Sequence, residues 1–224
     1  MRKFIKNMTT MQKKEKKGEN KEIFFYFDPI CPWCWNTSRW IKEVQKVEKL
    51  NVIWKTFSLF EKNKDIMSKE YLEHTKVTHR MLRMIEAARD KYGEEIVDEL
   101  YTKLGILVHY KKATNEKDIE SQITKYDKKY LLGSLDDSKW DKVILDSMQS
   151  AFDVVGDDVG TPIIIFNSLK KKLGYFGPVI TEVPRGEDAI ALWRNFENLC
   201  EYSHFYEVKR TRTEDAKIPD LKYI

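Results

Sequence analysis

Two cysteines three positions apart, Cys31-Pro32-Trp33-Cys34, stand between a short apolar run and a long amphipathic one. That junction constrains the fold more than any other feature of the chain. The run before it, Glu22 to Asp28 (EIFFYFD), is aromatic, β-branched at Ile23 and stopped by Pro29, which is the pattern of a buried strand. The run after it starts at Pro32 or Trp33 and repeats apolar residues at Trp40, Ile41, Val44, Val47 and Leu50, predicting a helix that reaches Leu50. The cysteines therefore sit at a strand-to-helix turn. Pro32 suits the first helical position, where a backbone N–H is not needed. A sulfur at that end meets unpaired amides and the positive end of the helix dipole. Its pKa is expected to fall from about 8.5 into a range of roughly 3.5–7.5. On this reading Cys31 is the nucleophile, and Cys34, one turn deeper, is the thiol that displaces a mixed disulfide. Trp33 adds bulk without charge, so a moderate or reducing potential is expected rather than one near about −120 mV.

The rest of the chain supplies more elements. Asn51 to Phe57 reads as a second strand, and strand–helix–strand implies a right-handed parallel crossover. Helical pattern then dominates. Met67, Tyr71, Val77, Met81, Met84, Ile85 and Ala88 form one inward stripe, ended by Tyr92-Gly93. Ile96, Val97, Leu100, Tyr101 and Leu104 form a second, and Asn115 caps a third through Ile119 and Ile123. Ser138 with Asp141 resembles a capping box that opens a fourth, with Trp140, Ile144, Met148, Ala151 and Val155 inward and Gly156 at its end. Strands return at Pro162 to Phe166 and Leu173 to Phe176, joined through Asn167-Ser168 and Lys170 to Lys172, and a last helix spans Gly186 to Tyr202. Five segments are expected: a basic flexible leader (1–21), the first part of an α/β core (22–64), a helical insertion (65–156), the second part of the core (157–204) and a C-terminal tail (205–224).

Charge narrows the classes. The formal net charge is +4, yet residues 1–21 alone carry eight Lys or Arg against two Glu, leaving the remainder at −2. A nucleic-acid surface would put its basic excess on the folded body, so no nucleic-acid partner is expected. No apolar run approaches the roughly 20 residues that span a bilayer, so no membrane partner is expected, and the leader lacks the apolar stretch of a secretory signal. A cytoplasmic protein is expected, where a close cysteine pair reads as catalytic or metal-binding. Zinc would need a second pair or histidines at ligand spacing, and His74, His79, His109 and His204 do not provide it. No metal and no tightly bound cofactor are expected. Cys200 reads as a buried, inert thiol.

A second signature is Val159-Gly160-Thr161-Pro162, which opens the strand Ile163-Ile164-Ile165-Phe166. Supporting or substrate-binding roles are assigned to Pro32, Trp33, Trp35, Thr161, Pro162 and His109. His109 reads either as a cleft residue that binds an acidic thiol or as an ordinary helix-end histidine. Asp28 reads either as a proton carrier for Cys34 or as a turn former. Trp33 is expected to face outward and Trp40 inward. Arg185 and Lys209-Arg210-x-Arg212 receive no role.

Phe27-Asp28-Pro29-x-Cys31-Pro32-Trp33-Cys34-Trp35 followed by Thr37-Ser38-Arg39-Trp40 resembles the DsbA-like group of the thioredoxin superfamily. Tyr175-Phe176-Gly177-Pro178-Val179, Val183-Pro184-Arg185-Gly186-Glu187, Leu192-Trp193 and His204-Phe205-Tyr206-Glu207-x-Lys209-Arg210-Thr211-Arg212 resemble the mycothiol-dependent nitroreductases. The resemblance spans residues 22–212. It implies an α/β, thioredoxin-like fold with an inserted α-helical subdomain, and a cis proline at Pro162 that packs against the disulfide while Thr161 offers its backbone to substrate. It also implies a low-molecular-weight thiol, mycothiol-like or another, as co-substrate, with a thioredoxin-type reductase as a further reductant. The acceptor would be a disulfide or an electrophilic small molecule such as a nitroaromatic. Two other functions fit the same fold: a thiol-dependent isomerase or transferase of aromatic compounds, and a non-catalytic peptide- or ligand-binding protein.

Overall fold

The computed structural model describes residues 21–167 and 172–224. The basic leader up to residue 20 and most of the Asn167–Lys172 turn lie outside the described residues. Strand β1 (Lys21–Phe27) leads through Asp28 to Cys31 into helix α1 (Pro32–Gln45), followed by β2 (Leu50–Thr56) and the short α2 (Leu59–Asn63). Helices α3 (Lys69–Tyr92), α4 (Glu95–Ile106), α5 (Glu116–Gln122), α6 (Lys128–Ser134) and α7 (Lys139–Val155) come next, then β3 (Ile163–Phe166), β4 (Leu173–Phe176) and α8 (Gly186–Cys200). The sheet order is β2-β1-β3-β4, with β1 parallel to β2 and antiparallel to β3, and β3 antiparallel to β4.

The inner strands read as continuous apolar runs because both their faces are covered. On one face of β1, Tyr26 reaches α7, where its hydroxyl meets Ser150 Oγ at 2.9 Å. On the other, Phe25 and Phe27 pack edge-on against Trp54, and Phe27 stacks on Tyr101 of α4 at 4.1 Å. Helix α8 closes over α1 through Trp40 and Trp193, with ring centroids 5.9 Å apart, while Trp40 Nε1 donates to the Ala189 carbonyl. The α3–α7 helices attach to the sheet through a buried polar knot. His79 lies between Ser58 (2.9 Å) and Asp141 (3.0 Å), and Arg83 grips Asp141 with two nitrogens at 2.5 and 2.7 Å.

Several expectations are corrected. Helix α1 ends at Gln45, not Leu50: Lys46–Lys49 turn back so that Leu50 starts β2, and Val47 is left exposed. Apolar spacing alone did not separate the helix from the strand behind it. The last helix likewise stops at Cys200 rather than Tyr202. Ser138 precedes α7 but makes no side-chain cap, because its backbone is already helical and Asp141 is engaged by His79 and Arg83. Tyr71 leaves the α3 core stripe and is half exposed. Helices α2 and α6 and a π-helical turn at Leu107–Lys111 were not anticipated. Residues 205–224 are held against the core. The Lys217 amide donates to the Thr181 carbonyl, the Tyr110 hydroxyl donates to the Pro219 carbonyl at 2.6 Å, and Ile218 and Ile224 pack on the core.

Candidate active site

The turn between β1 and α1 is held by Asp28. One carboxylate oxygen accepts the Ile30 amide at 3.0 Å and the other accepts the Leu59 amide at 2.8 Å, while the Asp28 carbonyl receives the Cys31 amide. This clamp leaves Cys31 as the N-cap of α1, with extended backbone and Pro32 at the helix start. The cap itself is sulfur: Cys31 Sγ accepts the Cys34 amide at 3.3 Å. The Cys31 thiol donates to the Thr161 carbonyl at 3.5 Å, and the Cys34 thiol donates to the Tyr26 carbonyl at 3.6 Å. Both cysteines are free thiols. Cys31 keeps a sliver of exposure (6%) where Cys34 has none. The Thr161–Pro162 peptide bond is cis and lies beside Cys31.

The electrostatics differ from the sequence expectation. Burial pushes the Cys31 thiol up, and the bonds from Thr161 and the Cys34 amide only partly oppose it. The depressed pKa predicted for a capping sulfur therefore does not hold for the reduced thiol: loss of water outweighs the hydrogen bonds that favour its ionised form. Cys34 is driven well above its usual value, first by burial and then by the charge of Cys31. Asp28, fully buried, is raised to about 6 by burial, with the Ile30 and Leu59 amides pulling the other way.

The other predicted residues separate by position. Trp33 is half-buried, with the Arg212 guanidinium 5.2 Å over its ring. Trp35 is wholly buried, tilted against His109 at 5.3 Å and edge-on to Tyr101 at 5.8 Å, so it supports the site from below and presents no surface to a substrate. His109 is buried on that ring, and loss of water lowers its pKa to about 4, with Lys112 adding to the fall. It is neutral at physiological pH and does not supply the positive charge an acidic thiol would seek. Cys200 is buried, and burial raises its pKa to about 12. Among the described residues no cluster of His, Cys, Asp or Glu could hold a metal ion, and no helix is long and apolar enough to cross a membrane.

Four contributors escaped the sequence reading. Tyr71 reaches the site from α3, where burial and then the charges of Cys31 and Asp28 hold its hydroxyl above the usual value. Arg39 and Tyr101 lie beneath Trp35. The C-terminal segment brings Arg212 over Trp33 and anchors on Asn36 of α1, whose Nδ2 donates to the Lys217 carbonyl at 3.1 Å. Only Tyr71, a hydroxyl on an otherwise apolar stripe, offered a signal in the sequence.

In solved structures the fold is similar to the cytosolic disulfide reductase DsbM of Pseudomonas aeruginosa (TM-score 0.52, 11% identity, 80% of this chain and 99% of that one). It is also similar to the thiol-disulfide exchange protein alpha-DsbA2 of Wolbachia pipientis (TM-score 0.52, 14% identity, 82% and 84%). In sequence the chain is 25% identical over 193 residues to an uncharacterized protein, Rv2286c, of Mycobacterium tuberculosis, covering 85% of this chain and 82% of the relative. The model of the Rv2466c-like family, described as mycothiol-dependent nitroreductase Rv2466c, matches residues 30–210. With that match running from the edge of the cysteine turn to the C-terminal segment over Trp33, the chain belongs to the Rv2466c-like family of DsbA-like, thioredoxin-fold oxidoreductases.

Proposed function

We propose that Cys31 and Cys34 are the redox pair of a thiol–disulfide oxidoreductase that draws electrons from a low-molecular-weight thiol and passes them to a disulfide or an electrophilic small molecule, nitroaromatics included. One observation carries the reading: two free sulfurs bracket the first turn of a helix, the outer one capping it and slightly exposed, the inner one wholly buried. Closing them into a disulfide releases two electrons and two protons to the acceptor, and two small thiols, themselves joined as a disulfide, reset the pair. Asp28, with a pKa of about 6 and its charge felt by both sulfurs, is suited to exchange the Cys34 proton. Thr161 and Pro162 shape the wall beside Cys31, and Trp33, Pro32 and Tyr71 shape its mouth. The family description supports mycothiol or a similar thiol as co-substrate, and the fold relative DsbM has been solved with GSH. A thioredoxin-type reductase is a second reductant on this reading, and a reducing compartment such as the cytoplasm is where it would operate.

The test pairs two variants. Cys31→Ser is expected to abolish thiol-dependent reduction of both an insulin disulfide and a nitroaromatic. Cys34→Ser, recovered from its own cells, is expected to carry a small-thiol adduct on Cys31, identified by its mass. Full activity in Cys31→Ser would sink the proposal.

A further inference from the structure

Arg39, five residues beyond Cys34 on α1, is buried to 3% exposure. Among the described residues no carboxylate lies within ion-pair distance of it. Asp98 acts on it from farther off and is engaged by Lys42. Its Nε donates to Ser38 Oγ at 3.1 Å and its Nη1 to Thr102 Oγ1 at 3.0 Å, while Nη2 is buried with no hydrogen-bond partner. The guanidinium lies 4.3 Å over the Trp35 ring and 5.8 Å from that of Tyr101. Tyr101 is a second orphan. Its hydroxyl is wholly buried, makes no hydrogen bond, and has Cys34 and Ser38 as its polar neighbours. A buried cation without a counter-ion and a buried hydroxyl without a hydrogen bond are costly, and such groups are retained where negative charge develops.

We propose that Arg39 and Tyr101 are positioning residues that form a preorganised cage for the thiolate of Cys34. This rests on the reading of Cys34 as the resolving thiol. In that step the Cys34 proton passes to the Asp28 carboxylate, and the Cys34 thiolate attacks Cys31 Sγ of a mixed disulfide. The bond from Cys31 to the small thiol breaks as the Cys31–Cys34 bond forms, and the small thiol leaves as its thiolate. Of the other groups facing Cys34, a backbone hydrogen bond from Asp28 favours its ionisation and the rest oppose or ignore it. Cys31 and Asp28 add negative charge, and the Tyr26 carbonyl of β1 accepts the S–H bond and gains nothing from a thiolate. His109, on the far side of Trp35, is neutral. Positive charge comes from Arg39, on the same helix, and a free donor from Tyr101, on α4.

Ellman's reagent separates the two thiols in time. The first equivalent of coloured thiol released reports attack by Cys31, and the second reports attack by Cys34 on the resulting mixed disulfide. Arg39→Met and Tyr101→Phe are expected to slow the second release by about tenfold or more, the change that matches one pKa unit in Cys34. The first release should stay within about threefold of the parent rate. The pH midpoint of the second phase should move upward in both variants, and Arg39→Lys, which keeps the charge, should recover much of the rate. Circular dichroism checks each fold, and Tyr101→Phe, a loss of one oxygen, carries the test if Arg39→Met does not fold. A second phase with unchanged rate and pH midpoint, or both phases slowed alike, overturns the proposal. A parent chain that releases no first equivalent refutes the Cys31 assignment itself, and this proposal falls with it.

Discussion

Asp28 is a carboxylic acid with no exposure, clamped by two backbone amides and raised to about 6 by burial. A carboxyl raised in the folded state from 3.8 stabilises the fold fully below that value, and the contribution is lost as pH rises through about 6. By neutral pH the charged Asp28 costs the fold about 3 kcal/mol. His109 has the opposite slope. Its pKa falls from 6.5 to about 4, so its contribution is present above 6.5 and is lost as pH drops toward 4. Between about 4 and 6 the two ramps oppose each other and flatten the parent profile. Asp28→Asn should therefore be more stable than the parent at pH 7.5, by about 1–2 kcal/mol once the lost acceptor is allowed for. Urea unfolding should show that gain turning into a deficit of about 1–2 kcal/mol by pH 4, where the charge cost is gone and the lost acceptor remains, leaving the slope of His109 and of His79, whose pKa burial also lowers. A gain equal at both pH values would contradict the raised carboxyl. The same residue carries the proton in the proposed chemistry, so the variant trades resolution rate for stability.

At the scale of elements, the decisive contact is between α1 and α4. Gly105 has ordinary helical backbone, yet a Cβ there would lie only 2.1 Å from a carbon of the Trp35 six-membered ring. That ring has nowhere to move: Arg39 covers one face, while Tyr101, His109 and Tyr110 surround it. Gly105→Ala is expected to destabilise the protein by about 2–3 kcal/mol, the cost of overpacking a filled core. The midpoint of urea unfolding measures it, and a shift under a few tenths of a kcal/mol would show that the helices slide apart freely. The stripes on α4 and α7 were legible because five and four of their predicted residues repeat at helical spacing and are buried. The end of α1 was not, since Val47 and Leu50 continue the helical rhythm by coincidence while belonging to a turn and a strand.

Over the whole molecule, the C-terminal residues pack beside the cysteine turn. Residues 205–224 return to α1 at Asn36 and are fastened as well by the Tyr110 hydroxyl and the Thr181 carbonyl. Removing residues 213–224 would delete these bonds and the packing of Ile218 and Ile224 on the core. The expected loss is about 3 kcal/mol, or roughly 6–12 °C in melting temperature for a chain of this size. Amide hydrogen exchange at the first turn of α1 should quicken with it. A truncated chain that melts with the parent would mean the segment only rests on the surface.

The sequence by itself determined the cysteine turn, the strands that flank it, the helical character of the insertion, and the family. These are local: a Pro, a pair of thiols and an apolar rhythm act within one element, where spacing alone carries the information. The tertiary structure alone decided the electrostatics. Whether Cys31 is ionised depends on water removed by residues up to 130 positions away. Which groups face Cys34 depends on how α4 docks under α1. His109 turned from a candidate anchor into a neutral, buried ring for the same reason: solvation is a property of the packed interior, and no window of sequence contains it.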